Sequence, residues 1–173
     1  MLSEIIENAL NEQVSLEGSS SQFYLSMASW AETQGFPGIS EFLYAHADEE
    51  RGHMLKLVRY INERGGQAVI PAFDQPPTTF SSVTELFEGL LNHEVKVTEK
   101  ISEVVDACLQ VKDYTTHNFM QWYVSEQLEE EALARTIMDK LKLIGNDKGG
   151  LYLFDRDIQQ LTVTSAAANA GNG

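Results

Sequence analysis

The stretch GGQAVIPAFDQPPTTF, residues 65–80, controls the topology of the chain. Gly65 and Gly66 stop the helix that precedes it, and prolines interrupt the rest of the stretch. Fully extended, it can reach about 50 Å, whereas a helix of about 28 residues is about 42 Å long. Residues 65–80 can therefore cross a whole helical bundle, which makes the helices on either side parallel.

A disordered linker between two separate helical hairpins is the alternative interpretation of residues 65–80. The apolar residues Val69, Ile70 and Phe73 favour packing along the bundle surface instead. The other two links between long helices are only a few residues long, so they are expected to join antiparallel neighbours.

The sequence outside the crossover divides into helical segments, with no alternating pattern that favours a sheet. The predicted fold class is all-α: a four-helix bundle with one long crossover between the second and third helices plus a short fifth C-terminal helix. Start and stop signals place the helices from the N-cap Ser3 to about Gln34, from Pro37 to Arg64, from the N-cap Ser82 onward, from the N-cap Asp113 to Gly145, and from about Lys148 to Leu161.

The length of 173 residues is that of one domain. We predict a bundle with its short fifth helix over residues 1–162 and a flexible tail over 163–173, where the sequence is small, polar and uncharged. No apolar run is long enough to span a membrane. Residues 1–7 carry two glutamates and no basic residue, which is not the pattern of a signal peptide.

The formal net charge of −14 disfavours nucleic-acid binding, because phosphate backbones would be repelled. It favours cations as partners, although solubility alone explains the same charge. The single cysteine, Cys108, cannot form an internal disulfide and is predicted to be a buried, inert thiol. These features indicate a cytoplasmic protein.

Four glutamates interrupt the apolar stripes of four different predicted helices, each near the middle of its helix. An isolated ionised carboxylate in a protein core costs several kcal/mol, so four at one level would weaken the fold unless cations neutralise them. Taken singly, each is better explained as a glutamate that reaches out to solvent. Together they predict a site for two divalent ions, formed by Glu17, Glu50, Glu94 and Glu130.

The string EERGH, residues 49–53, adds a nitrogen ligand to this set. Glu50 and His53 stand three residues apart, so both side chains leave the same face of the helix. Carboxylate oxygens with one imidazole suit iron or manganese better than they suit metals that prefer thiolates.

These strings match a known family. EERGH on the second helix, LNHEVKV around Glu94, WYVSEQLEEE on the fourth helix and LNEQVSLE ending at Glu17 closely resemble the bacterial non-haem ferritins. The resemblance extends from Met1 to about Leu161 and includes the crossover and the string GLYLFDRDI. It implies that one iron is held by Glu17, Glu50 and His53, and that Glu50 bridges to a second iron held by Glu94 and Glu130.

The resemblance also implies roles for residues around the two irons. Gln127 would be a hydrogen-bonding neighbour of the second iron, and Tyr24 a nearby electron donor. A third, weaker iron site would draw on Glu49, Glu126, Glu129 and Glu130. The function implied is oxidation of Fe(II) by dioxygen and storage of the ferric mineral inside a hollow homo-oligomeric shell of twenty-four subunits.

Related proteins provide alternatives that the sequence argues against. A haem-bearing bacterioferritin would carry a second Glu-x-x-His on the fourth helix and a methionine directly after the bridging glutamate. In this chain Gln127 and Glu130 stand where the second Glu-x-x-His would be, and Arg51 stands in place of the methionine. We therefore expect no haem. A bundle without metal and a di-iron oxygenase with an organic substrate remain alternatives that composition and spacing do not separate.

Four other residues receive only provisional interpretations. His46, one turn before Glu50, is interpreted either as a hydrogen-bond partner of the ligands or as a core histidine. Trp122 is predicted to pack in the core. His93 and His117 are predicted to face away from the metal site. His117 also occupies a position where many eukaryotic ferritins carry an acidic channel residue, so the sequence leaves the route of iron entry open.

Overall fold

The computed structural model describes residues 2–161, and the predicted tail at 163–173 lies outside these residues. The regular secondary structure of the described part is entirely helical, with no strand, which confirms the predicted fold class. None of its helices is long and apolar enough to cross a membrane. The helices are α1 (Glu4–Thr33), α2 (Pro37–Glu63), α3 (Val83–Val111), α4 (Tyr114–Ile144) and α5 (Lys148–Asp157).

Three predicted N-caps have the expected geometry. The side chain of Ser3 accepts a hydrogen bond from the backbone N–H of Ile6, and Ser82 and Asp113 accept from the N–H groups three residues further on. The fifth helix ends at Asp157, shorter than the predicted end at Leu161. Beyond the end of α5, the Leu161 N–H donates a hydrogen bond to the Ile158 carbonyl, which closes one further turn.

Contacts between α2 and α4 fix the relative directions of the helices. Tyr60 contacts Thr116, His53 contacts Tyr123, and His46 lies beside Glu130, so residue numbers rise along one helix as they fall along the other. The two helices are therefore antiparallel. Because α4 also follows α3 through a tight turn, α2 and α3 are parallel, as the crossover predicts.

The crossover follows α1 along most of its length. The N–H of Val69 donates to the side chain of Asn11 at 2.8 Å, and the hydroxyl of Ser26 donates to the Pro77 carbonyl at 2.6 Å. Between these points the Phe73 ring lies directly over Gly18, where an added Cβ would approach the ring to 2.4 Å. The prediction that residues 65–80 pack along the bundle is correct.

Two of the residues used for that prediction do not pack. Val69 and Ile70 are 57% and 62% exposed in the single chain, and only Phe73 of the three is partly buried. The polar contacts with α1 and the Phe73 ring therefore hold the crossover in place, because the two aliphatic side chains contribute little burial.

The bundle interior has two apolar clusters separated along its long axis. One contains Tyr24, Leu43 and Leu90, and the other contains Leu10, Leu57 and Ile101. Cys108 is fully buried in the second cluster, where desolvation raises the pKa of its thiol to about 11, as expected for an inert cysteine. The glutamates predicted from the four stripes lie between the two clusters.

Helix α5 docks on the beginning of α2. The N-cap position of α2, Phe36, offers no side-chain hydrogen bond, and Asp155 of α5 accepts one from the Ile39 N–H at 2.9 Å instead. Gly38 lies against the Asp155 backbone, where an added Cβ would be 1.8 Å from the carbonyl oxygen. The short last helix is thus held by a capping bond and a close approach that only glycine permits.

Gly38→Ala is expected to lower the free energy of unfolding by about 1–3 kcal/mol, because the added methyl group must push α5 away from α2. Gly52→Ala is the matched control, since Gly52 lies in the same helix and an added Cβ there meets nothing within 4 Å. The control should instead gain about 0.5–1 kcal/mol from helix propensity. Thermal unfolding of both variants measures the difference, and equal midpoints would contradict the docking of α5 described here.

Candidate metal centre

Four glutamates from four helices meet in the layer between the apolar clusters. Their relative exposures are 1% for Glu17, 2% for Glu50, 1% for Glu94 and 8% for Glu130. Each lies on an otherwise apolar stripe, so the helix packing that buries the neighbouring side chains also turns the carboxylate inward. Charged side chains are almost never buried this deeply without a partner.

Glu17, Glu50 and His53 form the first part of the centre. One ligand atom from each lies within 4.8 Å of the other two. The His53 Nδ1 atom is 3.6 Å from Glu50 Oε2 and 3.9 Å from Glu17 Oε2. The second oxygen of Glu17 accepts a 2.8 Å hydrogen bond from the side-chain amide of Gln13. Glu50 Oε2 is buried and finds no hydrogen-bond partner among the described residues.

Glu94 is held by two donors from neighbouring helices. The Tyr24 hydroxyl donates to Glu94 Oε1, and the Gln127 amide nitrogen donates to Glu94 Oε2 at 3.0 Å. The same amide nitrogen lies 3.2 Å from the Glu94 backbone carbonyl. Both carboxylate oxygens therefore have fixed directions before any ion binds. The structure places Tyr24 and Gln127 directly beside Glu94.

Glu130 lies beside His46 on the α4 side of the centre. His46 Nε2 is 3.6 Å from Glu130 Oε2, and its Nδ1 is 3.0 Å from the Phe42 carbonyl. Burial lowers the pKa of His46, so its neutral form is favoured. The sequence left two interpretations of His46 open. Its contact with Glu130 supports the first of them, a hydrogen-bond partner of the metal ligands.

The residues predicted for a third iron are brought together only in part. Glu49 belongs to two clusters of potential ligands, one with His46 and Glu130 and the other with His53 and Glu126. Glu49 is exposed and Glu126 is half-buried, so this region lies on the outer side of the buried centre. Glu129 is exposed and belongs to neither cluster.

The electrostatics of the buried carboxylates favour their neutral forms when no cation is bound. Desolvation raises the pKa of Glu50 and that of Glu94 to about 7 each. Desolvation, followed by the charge of Glu50, raises the pKa of Glu17 well above its ordinary value. Glu130 shows the same direction, with Glu94 as the second cause. Bound cations would remove both the desolvation cost and the mutual repulsion.

Three contacts around the centre go beyond the sequence predictions. The Gln13 amide on Glu17 stands one helical turn earlier in the string LNEQVSLE, a spacing from which the contact is predictable. The His93 ring lies edge-on to Tyr24 with centroids 5.9 Å apart and is 2.7 Å from the Ser20 hydroxyl. His93 touches none of the four buried carboxylates, in line with the prediction that it faces away from the metal site, but it does contact Tyr24, which holds Glu94.

Trp122 packs as predicted, but it also borders the centre. Its ring lies edge-on to the His53 imidazole, with centroids 5.1 Å apart, and the Lys56 ammonium stands 3.1 Å from its centroid. Lys56 thereby places a positive charge on the outer face of the indole. The arrangement excludes solvent from one side of His53 without adding a ligand atom.

The donor set suits two hard divalent ions. Carboxylate oxygens dominate, one imidazole is added, and no thiolate is present, since Cys108 lies in the apolar cluster. Two ions would bring four positive charges to four carboxylates. Neutralisation on this scale explains how the fold tolerates so many buried acids.

Comparisons with known proteins all point to one family. A family model of the ferritin-like domain matches residues 7–144. The chain is 46% identical over 162 residues to a probable bacterial non-heme ferritin-like protein of Haemophilus influenzae, covering 94% of this chain and 98% of the relative. It is 44% identical over 164 residues to a bacterial non-heme ferritin of Campylobacter jejuni, covering 95% and 98% of the two chains.

A solved structure gives the same result for the fold. An open pore ferritin from the hyperthermophilic archaeon Archaeoglobus fulgidus superposes with a TM-score of 0.90 at 42% identity, over 92% of this chain and 98% of the other. The residues matched by the family model, 7–144, contain the four buried glutamates and His53. The chain therefore belongs to the ferritin-like family.

Proposed function

We propose that this chain is an iron-storage ferritin subunit that oxidises Fe(II) to Fe(III) with dioxygen at a di-iron centre within its own bundle. Glu17, Glu50 and His53 hold the first Fe(II), and Glu50 bridges to a second held by Glu94 and Glu130. The names of the relatives support iron as the metal, since both are described as non-heme ferritin or ferritin-like proteins.

One observation carries the proposal. Glu50 Oε2 is buried without a hydrogen-bond partner among residues 2–161, and it faces His53 at 3.6 Å with Glu17 nearby. An unpaired buried carboxylate oxygen is costly, so a fold that keeps one at the meeting point of other metal-ligand side chains is built for a cation there. A bundle without metal would gain stability from an apolar residue at this position.

The surrounding residues have distinct tasks in the proposed reaction. Two Fe(II) substrate ions held side by side would each lose one electron, and dioxygen would take both electrons and two protons from solvent to reach the peroxide level. The charge of the carboxylates would stabilise the Fe(III) product more than the Fe(II) substrate. Gln127 and Tyr24 hold the two oxygens of Glu94. The role of Tyr24 as a nearby electron donor is part of the proposal, and its contact with Glu94 supports it. Absence of haem and a cytoplasmic location stay predictions from the sequence.

A third, weaker iron site belongs to the same proposal, with Glu49, Glu126, Glu129 and Glu130 as its ligands. Glu49 lies close to Glu130 on one side and to Glu126 on the other, which supports a position just outside the buried pair. Such a site would receive iron on its way to or from the centre.

Storage predicts a large particle that retains iron. Purified protein given Fe(II) in air should elute as a shell of twenty-four subunits, about half a megadalton for chains of 19.3 kDa, with the iron in the same fraction. Size-exclusion chromatography with light scattering and an iron assay measures both. The same Fe(II) without protein is the control. A monomer or dimer that keeps no more iron than its binding sites hold would contradict storage.

A further inference from the structure

The run Glu129, Glu130 and Glu131 places its third member in a setting unlike the other two. Glu129 is exposed and Glu130 points into the centre, whereas Glu131 turns toward α3, since successive helical side chains lie about 100° apart. The Glu131 side chain is 14% exposed, and one of its oxygens pairs with Arg135. The other oxygen, Oε1, accepts a 2.6 Å hydrogen bond from the Thr98 hydroxyl. Glu131 is therefore anchored between a surface arginine and a threonine of α3.

The Thr98 hydroxyl has one proton and two acceptors within reach. Glu131 Oε1 is at 2.6 Å, and the Glu94 backbone carbonyl is at 3.1 Å. A carboxylate paired with an arginine accepts more strongly than a backbone carbonyl, and Glu131 Oε1 is also the nearer oxygen, so the hydroxyl proton points to Glu131. The lone pairs of the Thr98 oxygen then face the amide nitrogen of Gln127, which lies 3.4 Å away.

Three neighbouring oxygen atoms agree on one orientation of the Gln127 amide. Its nitrogen meets three acceptors, namely the Thr98 hydroxyl oxygen, the Glu94 carbonyl and Glu94 Oε2. An amide turned the other way would present its oxygen to all three, which is repulsive. With the observed orientation, Gln127 donates to the carboxylate of Glu94.

We propose that Thr98, itself oriented by Glu131, is a positioning residue for the second metal position, the one between Glu50, Glu94 and Glu130. Its oxygen is the acceptor outside Glu94 that keeps the Gln127 amide nitrogen turned toward the Glu94 carboxylate. The inference rests on the proposed di-iron centre and extends it to two residues that touch no ligand atom of the ions. The chain of contacts runs from Arg135 at the surface through Glu131, Thr98 and Gln127 to the buried carboxylate. Partners of this kind around metal ligands typically change metal affinity by about 10–100-fold when they are removed.

Thr98→Val keeps the shape of the side chain and removes only the hydroxyl. Gln127 then keeps its two Glu94 acceptors and loses the third, and a methyl group stands beside its amide in place of the hydroxyl. The amide is less tightly held, so its hydrogen bond to Glu94 Oε2 is weakened. Anaerobic titration with Co(II), followed by visible absorption and calorimetry, reads the two positions without any oxidation step. We expect the affinity of the second position to fall about 10-fold in this variant, with the first position unchanged.

Two further variants make the result specific. Thr98→Ser restores the hydroxyl and should restore the affinity. Ser102→Ala is the matched control, because among residues 2–161 the Ser102 hydroxyl donates only to the Thr98 backbone carbonyl, one turn along the same helix. It should bind Co(II) as the unaltered protein does. A merely structural loss would weaken both positions together and would not be reversed by serine.

The outcomes separate the two levels of the argument. If the unaltered protein binds no pair of ions, the proposed centre fails and this inference fails with it. If the pair binds normally but Thr98→Val titrates like the unaltered protein, or weakens both positions equally, the inference alone is overturned. A weakened second position that Thr98→Ser does not restore also overturns it.

Discussion

Glu50→Ala is expected to slow the initial oxidation of Fe(II) by about 100-fold or more, the largest single effect in this protein, since loss of a shared ligand exceeds the loss of an outer partner. Glu50 is the only one of the buried acids proposed to touch both ions. Its removal therefore costs each ion a ligand and removes the bridge that holds the ions side by side. Stopped-flow absorbance after mixing metal-free protein and Fe(II) with air-saturated buffer measures the rate.

Glu41→Ala is the control for this experiment, because Glu41 is an exposed glutamate of the same helix. It should oxidise Fe(II) at the unaltered rate. Anaerobic binding should show at the same time that Glu50→Ala has lost the paired sites. A Glu50→Ala protein that oxidises Fe(II) as fast as this control would remove Glu50 from the mechanism.

The second large expected effect is a loss of stability of the metal-free protein as the pH rises, which bound divalent metal should reverse. In the metal-free fold, burial raises the pKa values of Glu50 and Glu94 from the ordinary 4.5 to about 7. Between pH 4.5 and pH 7 the folded state therefore binds more protons than the unfolded state. The contribution of these two carboxyl groups to the free energy of unfolding is greatest below about pH 4.5 and is lost as the pH rises through 7. The shifts correspond to a loss on the order of 3 kcal/mol for each carboxylate.

Divalent metal should cancel this loss. Zn(II) does not undergo oxidation, and at a concentration of about 1,000 times its dissociation constant it stabilises a protein by about 4 kcal/mol for each site. The gain in thermal midpoint on adding Zn(II) should therefore grow between pH 5 and pH 8 in differential scanning calorimetry. The double variant Glu50→Gln with Glu94→Gln should be less sensitive to both pH and metal. A midpoint that Zn(II) raises equally in the double variant and the unaltered protein would show that the stabilising ions bind elsewhere.

Most of the fold can be predicted from the sequence because its signals are local. Helix caps at Ser3, Ser82 and Asp113 are properties of a few neighbouring residues, and the reach of residues 65–80 follows from chain length alone. The docking of α5 could not be predicted. The capping of α2 by Asp155 joins residues 116 positions apart, and no periodic pattern encodes such a contact.

The inward direction of the buried glutamates follows from the apolar residues around them, and their burial agrees with the stripes. Their role as iron ligands stays a prediction. The orientation of the carboxylates, in contrast, depends on side chains of other helices. Thr98 is half-buried and reads as an ordinary helix residue until Gln127 and Glu131 of α4 are brought beside it. The sequence likewise shows only three successive acids at 129–131, and the structure gives each a different environment.

The central claim is that two iron ions bind inside one bundle, and anomalous diffraction tests it most directly. Crystals of the protein loaded with Fe(II) without oxygen, measured at the iron absorption edge, should show two peaks about 3.5–4 Å apart. One peak should lie between Glu17, Glu50 and His53, and the other between Glu50, Glu94 and Glu130. Loaded crystals in which this layer shows no iron peak, while peaks appear at surface carboxylates, would contradict the account.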